Sequence, residues 1–172
     1  LTLKNTHYAL IFNKDKKTKD PTVRIHSSCL TGDLMGSQKC DCGYQLETAL
    51  DYMSKSKKMN ILIYLNQEGR GLGIHNKIIS YNIQEKGWDT YQADNILGFS
   101  GDERDYKAAA EILKFFKVKK LNLITNNPEK VDYLKKNKII VNKMIKIKPG
   151  INPHNKKYLE TKKIIGKHLL NL

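Results

Sequence analysis

Arginine is nearly missing from this chain. Among 31 basic residues only Arg24, Arg70 and Arg104 are arginines. Cysteine is as scarce, with three, and there are four prolines and one tryptophan in 172 residues. No run approaches the roughly 18 apolar residues of a membrane-spanning helix, and no signal peptide is visible at the N-terminus. Each shortage narrows the function. Few cysteines, odd in number, argue against a disulfide framework and favour a reducing, cytoplasmic setting. The missing apolar run predicts no membrane partner. Readers of nucleic acid lean on arginine for base and phosphate contacts, so nucleic acid is an unfavoured partner despite a formal charge of +14. Where almost every cation is lysine, the few arginines are expected where a planar, permanently charged fork is needed.

What is present describes a globular chain, 40% apolar with a mean hydropathy of -0.56. That length suits one domain over residues 1–172, burying roughly 70% of its unfolded surface. The sequence opens on Leu1, which leaves room for a short segment upstream. The charge is uneven: residues 114–172 hold 16 lysines against Glu129, Asp132 and Glu160. Such a field attracts a polyphosphate, a nucleic acid or an anionic surface, or is simply a solvated lysine face.

The three cysteines, Cys29, Cys40 and Cys42, all fall within the fifteen residues CLTGDLMGSQKCDCG. Three soft thiolates in a glycine-containing loop form a zinc site with a fourth position left for water. An open position marks a catalytic zinc, which lowers the pKa of its water to about 7. Two other readings stay open on spacing alone. The thiols are ordinary buried residues or an oxidised Cys40–Cys42 pair, or His26 closes the site as a structural fourth ligand.

Strand and helix signals alternate, predicting an α/β (α+β) fold built on one mixed sheet flanked by helices. Strands are expected at 8–12, 22–26, 61–65, 121–124 and 139–147, and helices at 44–54, 74–85, 105–117, after Pro128, and from Asn155 towards Leu170. The segment NKDKKTKDP reads as a charged turn. An irregular connection is expected from Trp88 through Asp89, Thr90, Gly98 and Gly101.

Three further segments carry chemistry. Glu68-Gly69-Arg70-Gly71-Leu72-Gly73 lies between a strand and a helix, where backbone amides cradle an anion, a carboxylate accepts from an amino edge and an arginine holds a base or phosphate, or is an ordinary strand-to-helix turn. Asp102 and Arg104 pair a base with a phosphate clamp, or merely place acids at a helix start. Thr125 to Lys130 offers a hydroxyl and a lysine around a helix N-terminus, where plain capping is the simpler account.

In this order and spacing, RIHSSCLTGDLMGSQKCDCG, NQEGRGLG, DTYQADNILGFSGDERDY, LITNNPEKV and INPHNKKYL closely resemble GTP cyclohydrolase II, the enzyme that opens riboflavin synthesis. The resemblance runs from about Tyr8 to Leu170. It implies a hydrolase that uses Zn2+, with Mg2+ on the triphosphate. Such an enzyme opens the imidazole ring of GTP, releases C8 as formate and cleaves off pyrophosphate, leaving a diaminopyrimidinone ribosyl phosphate. Carried over by motif, Cys29, Cys40 and Cys42 correspond to the zinc ligands. Arg24, Ile25, His26, Ser27 and Ser28 correspond to a GTP-contacting segment, joined by Gln45, Glu68, Gly69, Arg70, Thr90, Thr125 and Lys130. Asp102 corresponds to the proton acceptor, Arg104 to the group facing the α-phosphate, and Tyr81 to a tyrosine beside the reacting base. The resemblance implies a homodimer as well.

The chemistry agrees with this. C8 of guanine lies between two nitrogens and is open to an activated water. A guanidinium is a poor nucleophile, so Arg104 is expected to clamp the phosphate by charge. Ser28 stands where the family has Glu, and Asn66 where the family has Arg before QEGR. Competing readings are a ring-opening relative that keeps its pyrophosphate, an impaired paralogue, and a zinc-stabilised nucleic-acid-binding module.

Overall fold

The structure, a computed structural model, describes residues 6–16, 18–100 and 102–172. Gly101 of the expected connection and Lys17 of the charged turn lie outside these residues.

Five strands form one mixed sheet in the order β1-β3-β2-β4-β5. They are β1 (Tyr8–Phe12), β2 (Thr22–Ser27), β3 (Asn60–Leu65), β4 (Lys120–Ile124) and β5 (Ile140–Ile145). β1 is antiparallel to β3, and the other neighbours are parallel. Of the inner strands, NILIYL and TVRIHS are buried at nearly every position and so on both faces. The edge strand β1 alternates instead, with Tyr8 and Leu10 exposed.

Parallel strands need crossovers, and the helices supply them on opposite faces. α1 (Cys42–Lys55) connects β2 to β3 and packs Ala49 and Met53 on Leu62, Ile124 and Ile147. The chain then runs through α2 (Gly73–Glu85), α3 (Thr90–Ile96) and α4 (Lys107–Phe115) to β4, and through α5 (Pro128–Lys136) to β5. α4 sets Ala109, Ala110 and Leu113 against Val23, Ile25, Ile63 and Leu123, the larger core. Strand connections that leave β2 and β3 towards opposite faces open a crevice at the carboxyl ends of the strands.

Three expectations need correction. Thr90 lies not in an irregular connection but at the start of α3, because Asp89 accepts from Tyr91 N and Gln92 N while Gln92 reaches back in a capping box. The helix expected from Asp105 starts at Lys107, since Asp102 to Asp105 are spent in turns and side-chain bonds. The last helix, α6 (Lys156–Ile164), stops short of Leu170. Lys167 adopts φ 50° and Leu169 N donates to Asn126 O, which draws the tail back over the loop after β4. A cysteine loop was expected between β2 and α1; Leu30–Leu34 in it forms a π-helical turn. Among the described residues no helix is long and apolar enough to cross a membrane.

Candidate active site

The crevice is lined by the end of β2, the cysteine loop, the loops after β3 and β4, α2, α3 and the C-terminal α6 segment. Of the residues singled out from sequence, Ile25 and Asp102 do not line it. Ile25 is fully buried in the core and presents only its carbonyl, which accepts from Lys130 Nζ at 2.8 Å. Asp102 stands behind Arg104 and receives two bonds from its guanidinium.

The three cysteines converge. Their sulfurs lie within 4.8 Å of one another, with Cys29 and Cys40 separated by 3.6 Å. Tetrahedral zinc bonded at about 2.3 Å sets sulfurs about 3.8 Å apart, so this donor set fits the ion. A disulfide at about 2.0 Å does not. Gly32 makes the convergence possible. A Cβ there would fall 2.9 Å from Cys40 Sγ and 3.0 Å from Cys29 Sγ. Cys29 is driven well below its usual pKa by hydrogen bonds from Cys40 and Cys42 and by the Lys77 ammonium; those bonds in turn push Cys40 and Cys42 up.

Among the described residues His26 stands outside the sulfur cluster. Burial drives its pKa down, so the ring is neutral. Its Nε2 lies 3.1 Å from Asp33 and its Nδ1 3.4 Å from Arg24 Nη2. A neutral ring that donates from Nε2 and accepts at Nδ1 satisfies both partners. Asp33 also accepts from Tyr64 OH at 2.9 Å and from Cys29 N at 3.0 Å, and thereby fixes the start of the cysteine loop. β2 aligns Arg24 with Leu62 and Ile124 on the α1 face. Its guanidinium therefore meets Gln45 Oε1 at 2.8 Å and Ile124 O at 3.3 Å, with Nε buried and unpaired.

The turn after β3 is held from two sides. Gln67 donates from N to Ser28 Oγ at 3.1 Å and from Nε2 to Ser27 Oγ at 2.8 Å. Glu68 accepts from Leu30 N at 2.5 Å and from Lys77 Nζ at 2.7 Å. Gly69 and Arg70 both have left-handed φ, and Gly71 comes so close to Glu103 O that a Cβ would lie 2.9 Å away. Arg70 donates to Asp94 at 3.0 Å and Thr90 Oγ1 at 3.2 Å and stacks over Tyr91 at 4.3 Å. Tyr81 lies across the cleft with its OH 3.2 Å from Thr31 Oγ1, and burial raises its pKa, so it keeps its proton at neutral pH.

The other end of the cleft is cationic. Lys130 is only 6% exposed, and burial with Arg24 and Arg104 nearby lowers its pKa. Thr125 Oγ1 accepts from Asn127 N at 3.0 Å, which shapes the loop that presents it, and Asn127 caps α5. Burial alone would raise Asp102 and lower Arg104; their mutual bonds outweigh it and reverse both shifts, so the pair is ionised. Several lining residues are not among those singled out from sequence. Lys77, Tyr158, Lys162 and His168 reach the cleft from α2 and the C-terminal segment, and only a helical-face argument for Lys77, four residues before Tyr81, was available to find any of them.

The sequence profile of the family described as GTP cyclohydrolase II matches residues 2–146. A protein of Helicobacter pylori (strain P12) named GTP cyclohydrolase-2 is 48% identical over 153 residues, covering 89% of this chain and 78% of its own length. Its namesake from Psychromonas ingrahamii is 48% identical over 163 residues, 94% of this chain and 80% of its own. That from Helicobacter hepaticus is 51% identical over 150 residues, 87% and 76% of the two chains.

Proposed function

The chain belongs to the GTP cyclohydrolase II family and is a hydrolase of that kind; from this premise we propose that it opens the imidazole ring of GTP, releasing formate and pyrophosphate to leave a diaminopyrimidinone ribosyl phosphate. Residues 1–172 act as one catalytic domain. The observation that carries this reading is the joining of three cysteine sulfurs and all three arginines around one crevice.

Cys29, Cys40 and Cys42 would hold zinc, which when bound supplies Lewis acidity and a nucleophilic water at neutral pH. Mg2+ would accompany the triphosphate. Glu68, Gly69 and Arg70 face the purine, with Glu68 accepting from the guanine amino edge. Tyr81, protonated and half-buried beside the cysteines, donates a proton to the opening ring. Arg24, Lys130 and Thr125 gather at the cationic end, with Gln45 orienting Arg24. Asp102 is ionised and able to accept a proton. Arg104 stays protonated beside it, which supports an electrostatic clamp on the α-phosphate and not a covalent role. His26 to Ser28 and Thr90 order the loops around this site. Ser28, in place of the family's Glu, is spent on Gln67 N.

A homodimer accords with the exposed Leu34 and Met35 on the cysteine loop, 77% and 67% accessible. A reducing, cytoplasmic setting accords with three free thiols.

The test is to incubate the zinc-loaded protein with GTP and Mg2+ and to measure formate and pyrophosphate together. Equal amounts are expected. Formate alone would mark a ring-opening relative, and pyrophosphate alone would refute the zinc chemistry. With zinc bound, neither product would indicate an impaired paralogue or a binding module.

A further inference from the structure

The cysteine cluster has a charge left over. Three thiolates around a divalent metal carry one net negative charge in a largely buried setting, where an uncompensated charge is costly. One cation meets it directly. Lys77 Nζ lies 3.0 Å from Cys29 Sγ and 2.7 Å from Glu68 Oε1, and both ends of that ion pair are 11% exposed.

The lysine is built in and not merely adjacent. Its stem packs under the turn after β3, where a Cβ on Gly69 would fall 3.1 Å from Lys77 Cβ. Glu68 in turn accepts from Leu30 N, the first amide of the cysteine loop after Cys29. A ring of contacts thus runs from Cys29 to Lys77 to Glu68 and back to the residue that follows Cys29. α2 carries both Lys77 and Tyr81, and the ammonium lies 5.8 Å from the Tyr81 ring centre.

We propose that Lys77 is a positioning residue for the metal: its ammonium donates a hydrogen bond to the ligating Cys29 sulfur, offsets part of the negative charge that the tris-thiolate site and Glu68 bring together, and locks that loop to the Glu68 turn. This rests on the zinc reading above. Outer contacts of this kind tune a metal's affinity and Lewis acidity, typically by about 10–100-fold in affinity. Drawing electron density from one thiolate leaves the metal more acidic towards its open position.

The experiment compares the full chain with Lys77→Met, which keeps the stem and removes the charge, and Lys77→Arg, which keeps a donor. Zinc affinity is read by competition with a chromophoric chelator, and the sulfur bond by the thiolate-to-metal charge-transfer band of the cobalt(II)-substituted proteins. Lys77→Met is expected to bind zinc about 10–100-fold more weakly and to shift the band to lower energy, since an unbonded thiolate gives up an electron more readily. Lys77→Arg is expected to recover part of both. Unchanged affinity in Lys77→Met would overturn the proposal. So would weakened affinity with an unmoved band, which is the signature of loop packing alone. If the unaltered protein bound no zinc, the metal reading itself would fall, an outcome separate from either.

Discussion

Gly32→Ala is the smallest change that tests the cysteine geometry. Gly32 needs no left-handed backbone, so the effect of a methyl group there is purely spatial. The added carbon would lie 2.9 Å from Cys40 Sγ, 3.0 Å from Cys29 Sγ and 3.3 Å from Cys42 Cβ. Non-bonded heavy atoms rest at about 3.5–4.0 Å, so the methyl overlaps its neighbours by roughly 0.5–1 Å on the side where the sulfurs meet. Backing away is blocked as well, because Gly32 O packs against Gly43, where a Cβ would sit only 2.3 Å off. Overpacking of this kind costs about 1–3 kcal/mol. The metal-free protein escapes most of it by rotating thiols apart, whereas zinc holds them together, so the cost falls on binding. At about 1.4 kcal/mol per tenfold, zinc affinity should drop about 10–100-fold. Chelator competition measures that, and thermal melting of the metal-free protein checks that the fold survives. A Gly32→Ala protein that melts normally without metal and binds zinc as tightly as the parent would refute the argument that these sulfurs converge on one ion.

Two further outcomes are expected. Arg104→Ala should slow pyrophosphate release by about 100-fold or more, the usual loss on removing one charge-stabilising group; measured with formate in the same tube, an unchanged pyrophosphate rate would remove Arg104 from the phosphate step. Burial lowers the pKa of His168 from 6.5 to about 3 in the folded protein. The unfolded chain therefore binds the extra proton first as pH falls, so stability is full above about pH 6.5 and declines by up to about 1.4 kcal/mol per pH unit between there and about pH 3. Denaturant midpoints at pH 7 and pH 5 should show a smaller acid loss for His168→Gln than for the parent, and equal losses would show that His168 is not held neutral.

The strands, the helices beneath them and the clustered cysteines were legible because their signals are local. NILIYL is apolar at every position but its first residue and Tyr64, and an inner strand buried on both faces requires that pattern. Three cysteines in one loop marked a candidate metal site, and their sulfurs do converge, while Asn127-Pro128 announced the start of α5 through a capping side chain and a fixed φ. The sequence misled where a capping box sat among turn residues and where a distant contact overrode a helical pattern. Asp89 and Gln92 satisfy each other and start α3 in a stretch rich in turn residues, and the lysine-rich tail leaves its helix to bond Asn126.

By itself the chain determined its elements, its glycine-rich turn and the set of side chains able to do the chemistry, since each depends on residues a few positions apart. Only the tertiary structure decided which of them act together. Lys77 and Cys29 are 48 positions apart and meet at 3.0 Å, and His26 is engaged by Asp33 on one side and Arg24 on the other. Hydrogen bonds and buried charges act over about 3–4 Å of space with no regard for separation along the sequence. The partners of a buried charge are therefore settled by the crossing of β2, β3 and β4, which brings their loops to one crevice.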